Sequence, residues 1–296
     1  MSTKPRVSMG LLFAAPALVG LLVFVAIPFA LALILALTNL RLGSPLPLEF
    51  MGVEQFRRIF ADAAFTRALW NNALFALVVV PLQTGLALGL ALLLHQNFRG
   101  RILFRTLFFM PVVFPLSLVA VVWTLIYAPG PSGMMNSFLT VVSFGAWEPR
   151  DFLHDPLFAL PAIMVTSIWQ GTGFQMLILL AGLQAIPEEL YEAARIDGAG
   201  HLGTFLHVTI PQLRNTLIFV VLVTTILAFR LFDQVQIMTQ GGPRNASTTV
   251  MFEAVQAAFS RQQVAAGAAM SVVLFVVVLA VTMVQQRFAR QEREIQ

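Results

Sequence analysis

Long stretches without a charged residue alternate along the chain with short segments that carry the charges. No Asp, Glu, Lys or Arg occurs between Arg6 and Arg41, and further apolar stretches follow. A hydrocarbon core about 30 Å thick is crossed by about 20 apolar residues in a helix. The pattern therefore predicts six membrane-spanning helices, at roughly 10–38, 68–95, 106–128, 157–183, 214–237 and 264–286.

The first predicted span is too long for a signal peptide. The apolar core of a signal peptide covers about 7–15 residues, and this run is much longer. We therefore expect it to be retained as a transmembrane helix. Pro16 and Pro28 are expected to bend it, and Pro111 and Pro115 are expected to bend the third span.

The fifth predicted span requires charged residues within or near the membrane. The run after Arg214 is long enough only if it includes Arg230 and Asp233. In a continuous helix these two side chains share one face, so Asp233 can compensate the arginine. Counting from Arg214 places Arg230 about 24 Å along the helix, in the outer half of the membrane. Two interpretations remain: an ion pair that snorkels to the surface, or a polar lining of a solute pathway.

The positions of Lys and Arg predict the orientation. With a cytoplasmic N-terminus, the inner segments hold more basic residues than the outer ones and are also shorter. The tight turn from Arg99 to Arg105 is the clearest cytoplasmic signal. We therefore expect both chain ends to lie in the cytoplasm.

The segment from Val53 to Trp70 repeats apolar residues at helical spacing, with Arg57, Arg58 and Asp62 between them. This pattern predicts an amphipathic helix at the outer membrane interface. An ordinary loop packed on the helix ends is the alternative.

Composition excludes several functional classes. Hydrophobic residues make up 58% of the chain and charged residues 11%, whereas soluble domains contain about 25% charged residues. So few charges cannot cover a soluble surface, which excludes an ordinary soluble enzyme and a nucleic-acid-binding domain. The chain has no cysteine, and its histidines form no H-E-x-x-H pattern, so no metal site is predicted.

Polar side chains inside the spans are candidates for a substrate pathway. In the fourth span, amides stand beside Gly171 and Gly173, which weaken a helix and could open a cavity. Plain hydrogen bonding between helices is the alternative. The candidate pathway residues are Trp169, Gln170, Gln175, Arg230 and Asp233.

Small residues spaced by four predict close packing of helices. Gly85 and Gly89 show this spacing in the second span, and Gly267 and Ser271 show it in the sixth. We expect these four residues to lie at contacts between helices.

The segment 184–214, between the fourth and fifth spans, is the most informative. Pro187 and the two glutamates after it predict a helix start, and Gly198 predicts its end. A second short helix is expected to reach about His207 and to stop before Pro211.

No nucleotide-binding motif is supported. The run from Gly198 to Gly203 matches G-x-G-x-x-G, but no strand precedes it and no βαβ unit surrounds it. No G-x-x-x-x-G-K-[ST] occurs, and Lys4 is the only lysine. The chain therefore has no phosphate-binding loop of its own.

The same segment resembles the EAA motif of ABC importer permeases. Glu192–Ala194, Gly198 and Pro211 stand at the family spacing E-A-A-x3-G-x9-I-x-L-P, with two mild hydrophobic replacements near its end. The runs 186–199 and 232–243 look like the carbohydrate-importer branch. The chain is similar there to permeases for maltose-type oligosaccharides and for glycerol-3-phosphate.

The resemblance implies a type I ABC importer permease, an all-α membrane protein with six transmembrane helices. It implies coupling helices that dock on separate ATPase subunits, which bind ATP and Mg²⁺, so that this chain is not an enzyme and holds no cofactor. The other implied partners are a second permease in a heterodimer, an extracytoplasmic solute-binding protein, a small carbohydrate and membrane lipid. The implied location is a bacterial or archaeal cytoplasmic membrane.

The coupling residues implied by the resemblance are Glu192, Ala193, Ala194, Asp197, Gly198 and Pro211. For Glu192 and Asp197 the alternative is that they only cap the loop and bridge it to itself. We expect residues 1–66 to hold the N-terminal tail, the first span and the interfacial segment. The permease core then covers 67–286, and a cytoplasmic tail covers 287–296.

Other functions remain open from the residues alone. A phosphorylated-polyol permease would place Arg230 at the phosphate. A self-sufficient secondary transporter would need acidic or histidine relays in its spans, and Asp233 is the only candidate. A membrane enzyme would need a clustered acid, base or metal set, which the sequence does not offer.

Overall fold

The computed structural model describes residues 6–45 and 47–291, and within these ranges it consists of helices joined by loops, with one isolated bridge between Thr38 and Phe50. The predicted tails therefore lie in part outside the described residues. The helices are α1 (Arg6–Leu21), α2 (Ile27–Leu35), α3 (Glu54–Ala61), α4 (Ala63–His95), α5 (Arg101–Val113), α6 (Leu116–Ile126), α7 (Met134–Val142), α8 (Ala159–Gln184), α9 (Glu188–Ile196), α10 (His201–Thr204), α11 (Ile210–Phe229), α12 (Asp233–Met238), α13 (Val250–Val255) and α14 (Val264–Gln291). Single π turns cover Leu22–Ala26, Phe205–Thr209 and Gln256–Ser260.

The described helices account for the predicted spans. Five stretches are long and apolar enough to cross a membrane, and the α5–α6 pair makes a sixth if it crosses as one bent span. The five stretches are Phe13–Leu35, Ala63–His95, Ala159–Gln184, His201–Met238 and Val264–Arg287. The charge-free runs therefore predicted the correct segments.

The third predicted span is broken rather than continuous. Helices α5 and α6 meet at an angle of 100°. Pro115 precedes α6, and because proline disfavours the helical conformation in the residue before it, Phe114 is extended, with φ −80° and ψ 142°. The expected bend at Pro115 is therefore confirmed, whereas Pro111 lies within α5.

The prediction that a short helix stops before Pro211 is wrong. Helix α10, the π turn and α11 form one continuous helix from His201 to Phe229. Pro211 has no N–H for the usual helical bond, and the wider π turn precedes it, in which Ile210 donates to the Phe205 carbonyl. A π turn before Pro28 likewise keeps the first span helical.

The chain forms two compact units, residues 1–63 with 253–275 and residues 64–252 with 276–296. In the first unit, α3 confirms an amphipathic helix over part of the predicted interfacial segment. Ile59 is buried, whereas Arg57 and Arg58 are exposed. A Cβ on Gly267 would lie 2.6 Å from the Ala254 carbonyl oxygen, which confirms Gly267 as a packing position.

In the second unit, α8 packs against α5 and α11. The glycines of α8 do not interrupt it, because the helix is continuous from Ala159 to Gln184. Instead, Gly173 lets the backbone of Phe108 approach closely. The predicted packing role of Gly85 and Gly89 is wrong for the described chain, since a Cβ on either would meet no atom within 4 Å.

Candidate functional site

A cavity of about 420 Å³ lies in the second unit, between α4, α8, α11 and α12. Its volume is within the range of about 300–1,000 Å³ that is typical of small-molecule sites. Apolar side chains make up most of the wall, and eight polar or charged residues interrupt it. These are Gln83, Ser167, Gln170, Gln175, Thr224, Arg230, Asp233 and Gln234.

Arg230 and Asp233 line the cavity from either side of a break in the fifth span. Helix α11 ends at Phe229, Phe232 has φ −136° and ψ −60°, and α12 begins at Asp233. Both charged side chains are exposed, and neither forms an ion pair or a side-chain hydrogen bond with any residue that the structure describes. The predicted ion pair on one helix face is therefore wrong, and both residues line the cavity instead.

The break lies level with the middle of α8. Gln234 Nε2 donates to Gln170 Oε1 at 3.4 Å, and the Ser167 hydroxyl donates to Gln234 Oε1. The helix that leads to the break starts at His201, well before the Arg214 from which the span was counted. The depth of Arg230 in the membrane stays a prediction.

Two buried asparagines of α4 bond backbone groups at the end of α11 and around the start of α13. Asn72 Nδ2 lies 3.4 Å from each of the carbonyl oxygens of Ala228 and Phe229, and its Oδ1 accepts the Val250 N–H at 2.8 Å. Asn71 donates to two further backbone carbonyls. Backbone groups at helix ends have no partner within the helix, and lipid supplies none. Asn72 therefore stabilises the break, a function that its position in the sequence did not reveal.

Gln170 connects this break to the one in the third span. Its Nε2 donates at 3.3 Å to the carbonyl of Phe114, at the bend between α5 and α6. Its Oε1 accepts from Gln234. The nitrogen and the oxygen of the Gln170 amide are thus both bonded to protein atoms. Gln170 therefore positions the two breaks relative to each other.

The structure brings four of the five predicted pathway residues into one cavity. Trp169 is the exception: it is 48% exposed, and its ring packs against that of Trp123 at 5.5 Å. Ser167, Thr224 and Gln234 also line the cavity, and no local feature of the sequence marks them. A signal for Gln83 existed, because it is a lone amide inside a long apolar run.

The loop between the fourth and fifth spans contains α9, which ends in a Schellman motif. Gly198 has φ +77°, its N–H donates to the Arg195 carbonyl at 3.1 Å, and the Ala199 N–H donates to the Ala194 carbonyl at 2.9 Å. The predicted helix end at Gly198 is therefore confirmed.

The predicted coupling residues on α9 face outward for the most part. Glu192, Ala193 and Asp197 are exposed, and neither carboxylate has a partner among the residues described. The alternative that they bridge the loop to itself is therefore not supported. Ile196 and Leu202, which are 87% and 71% exposed, add apolar surface to the same loop.

Comparison with known proteins connects these features to a family. Residues 83–294 match the model described as "Binding-protein-dependent transport system inner membrane component". The chain belongs to this family of permeases. The sequence resemblance to ABC importer permeases is thereby confirmed.

Two relatives cover nearly the whole permease. The sulfoquinovosyl glycerol transport system permease protein SmoG of Agrobacterium fabrum is 34% identical over 95% of this chain and 90% of its own length. The diacetylchitobiose uptake system permease protein NgcF of Streptomyces coelicolor is 33% identical over 94% of this chain and 81% of its own.

The fold of the permease has a solved counterpart. A bacterial alginate ABC transporter, in complex with alginate pentasaccharide-bound periplasmic protein, contains a chain that matches with a TM-score of 0.82. The match covers 97% of this chain and 95% of that one, at 18% identity, and therefore concerns the fold. The permease is a multi-pass, all-α membrane protein with the type I ABC importer permease fold.

In the permease, the second run that resembles the carbohydrate branch, 232–243, builds the break and the turn after it. Gly241 has φ +78°, and a Cβ there would lie 2.7 Å from Phe252 Cε1. Ser247 Oγ donates at 2.6 Å to the Gly242 carbonyl. This run therefore shapes the wall of the cavity.

Proposed function

We propose that this permease forms the membrane pathway of an ATP-driven importer for a sugar or a related polyol. The cavity is the observation that carries this proposal. It combines amide and hydroxyl groups, which can bond sugar hydroxyls, with apolar walls, which suit the faces of a sugar ring. The names of SmoG and NgcF, which refer to sulfoquinovosyl glycerol and diacetylchitobiose, support this class of solute.

The energy in this proposal comes from other subunits. The chain has no phosphate-binding loop, so separate ATPase subunits bind ATP and Mg²⁺, and the permease itself is not catalytic. Glu192, Ala193 and Asp197 dock there, with Ala194, Gly198 and Pro211 shaping the loop. A second, related permease completes the pathway, and an extracytoplasmic solute-binding protein delivers the solute. The assembly lies in a bacterial or archaeal cytoplasmic membrane, with both chain ends inside.

One helix connects the docking loop to the cavity. The hydroxyls of Tyr191 on α9 and Thr209 in the π turn lie 3.3 Å apart. Thr209 belongs to the continuous helix that starts at His201 and ends next to Arg230, a length of about 43 Å. A movement of α9 that is driven by ATPase closure therefore reaches the cavity wall through a single rigid element, which exposes the cavity alternately to the two sides.

Reconstitution of the complete transporter tests this function. The cognate binding protein is first screened against mono- and disaccharides and phosphorylated polyols by thermal shift. The selected solute should then enter liposomes only when ATPase subunits and ATP are present. Flux that is driven by a solute or ion gradient through the permease alone would instead establish a secondary transporter.

The unpaired Arg230 supports a second candidate, a permease for an anionic solute such as a phosphorylated polyol. For such a solute, Arg230→Gln removes a charge-assisted hydrogen bond of about 1.5–3 kcal/mol, and uptake should fall about 10- to 100-fold. Asp233→Asn is the matched control and should raise uptake slightly, because it removes a nearby negative charge. For a neutral sugar we expect both variants to change uptake of radiolabelled solute by less than about fivefold, and unchanged uptake of glycerol-3-phosphate in Arg230→Gln would remove the anionic candidate.

A further inference from the structure

Gln83 is a buried amide of the cavity wall that makes no hydrogen bond within the described part of the chain. Its side chain is only 7% exposed and lines the cavity from α4. A polar group in an apolar surrounding is costly unless it is hydrogen-bonded, and lipid offers no partner. The Gln83 amide therefore has unused donors and acceptors at the cavity surface.

The position of this amide is built by a neighbouring helix. A Cβ on Gly171 of α8 would overlap Gln83 Nε2 and would lie 2.9 Å from Cδ and 3.2 Å from Oε1. The amide can lie against the α8 backbone only because residue 171 has no side chain. This contact with Gly171 fixes the position of the Gln83 amide but is not a hydrogen bond.

Most polar atoms of the other cavity-wall amides already form hydrogen bonds within the protein. Gln170 and Gln234 bond each other and further protein groups. Gln175 Nε2 donates to Thr224 Oγ1 at 2.6 Å, and that hydroxyl donates its single proton to the Val220 carbonyl at 2.7 Å. Only Gln175 Oε1 is left without a partner among the described residues, but it is shielded inside the protein. Gln83 thus differs from these amides in having its whole amide group unused.

We propose that Gln83 binds hydroxyl groups of the transported solute, an inference that rests on the proposed sugar-import function. A primary amide has two N–H donors and one carbonyl acceptor. It can donate to one hydroxyl of a polyol and accept a hydrogen bond from a neighbouring hydroxyl. A phosphate dianion or a sulfonate anion only accepts and would leave Gln83 Oε1 unsatisfied. The group that Gln83 recognises is therefore a pair of adjacent hydroxyls, including those of a solute that is charged elsewhere.

The test pairs Gln83→Met with monodeoxy analogues of the solute in the complete reconstituted transporter. Methionine keeps the approximate volume but has no N–H donor. Maltose is the first probe, and if the binding protein rejects maltose, the sugar selected by the screen replaces it. We expect Gln83→Met to lower uptake at low solute concentration about tenfold or more. Removing the hydroxyl that Gln83 binds should lower uptake by the wild type by a similar factor. The same removal should not lower uptake by Gln83→Met any further.

Gln286→Leu is the matched control, because Gln286 is exposed on α14 outside the cavity wall. It removes an amide from the same unit, and we expect it to transport like the wild type.

If each deoxy analogue lowers uptake by the same factor in the wild type and in Gln83→Met, the inference is overturned and Gln83 is only a packing residue. If Gln83→Met does not assemble, Gln83→Asn is tested in the same assay. Its side chain is one methylene group shorter, so its amide cannot reach the position of the Gln83 amide. Wild-type discrimination between hydroxyls in Gln83→Asn would also overturn the inference. Failure of the proposed function would appear earlier, as absent ATP-dependent uptake in the wild type.

Discussion

Gly173→Val is expected to reduce the amount of folded permease at least about tenfold, because the new side chain collides with the backbone of α5. A Cβ on Gly173 would overlap the Phe108 carbonyl oxygen, and it would lie 2.8 Å from the Phe108 carbonyl carbon and 3.0 Å from Phe109 Cα. Backbone atoms cannot rotate away, so α5 and α8 would have to separate. Overpacking costs about 1–3 kcal/mol where side chains can adjust, and more where they cannot.

The measurement is the yield of monodisperse protein in detergent together with its melting temperature. Gly89→Val is the matched control, since Gly89 also lies within a long helix but a Cβ there meets no atom within 4 Å. We expect this control to melt like the wild type. Normal yield and melting of Gly173→Val would show that α5 and α8 do not pack as closely as the structure has them.

Glu192→Arg is expected to lower solute uptake and solute-stimulated ATP hydrolysis about tenfold or more, with normal assembly of the permease in the membrane. The carboxylate is exposed and has no partner in the described chain, so its replacement removes no contact that the fold needs. At a docking surface, however, the new arginine would face the positive group of the partner that the carboxylate attracts. Such contacts between like charges cost several kcal/mol. ATPase activity and uptake are measured on the same proteoliposomes.

Glu148→Arg provides the same change of charge at an exposed residue in the loop between α7 and α8. We expect it to leave ATP hydrolysis by the assembled transporter unchanged. A Glu192→Arg variant that transports normally would contradict the proposed coupling role of α9. A Glu192→Arg variant that is lost from the membrane would mean that the residue stabilises the fold.

Features with a local physical cause could be predicted from the sequence. Most of the six spans follow from charge-free length, because charged groups are costly in a bilayer core whatever the tertiary packing. The span after Arg214 is the exception, since it also includes Arg230 and Asp233. The end of α9 at Gly198 follows from the freedom of glycine to adopt positive φ. The bend before Pro115 follows from the proline ring.

Features that depend on partners far along the chain could not be predicted in this way. Pro211 has the same local effect as other prolines, but a π turn precedes it, so the helix continues. Arg230 and Asp233 looked like an ion pair because a continuous helix was assumed between them. The helix ends between them, where Asn72 bonds its last carbonyls from another helix.

The candidate site shows the same difference between what local sequence determines and what distant partners determine. Gln170 and Gln175 are two amides five residues apart in one helix, and nothing local separates their functions. In the structure, Gln170 bonds the helix break at Phe114 and also Gln234, whereas Gln175 keeps an unpaired oxygen. Gln83 is a lone amide in an apolar run of the sequence, but only the structure shows that Gly171 faces its amide at the cavity.

By itself, the sequence determined the membrane-embedded helical class, the positions of the spans, the loop with its EAA-like motif and the polar residue types available in the spans. Each of these depends on transfer of side chains out of water or on backbone geometry within a few residues. Only the tertiary structure decided that the fifth span breaks after Phe229, which polar groups are already hydrogen-bonded and which of them face a common cavity. The physical reason is that a hydrogen bond in lipid needs a partner, and here the partners come from helices up to 178 residues apart in the chain.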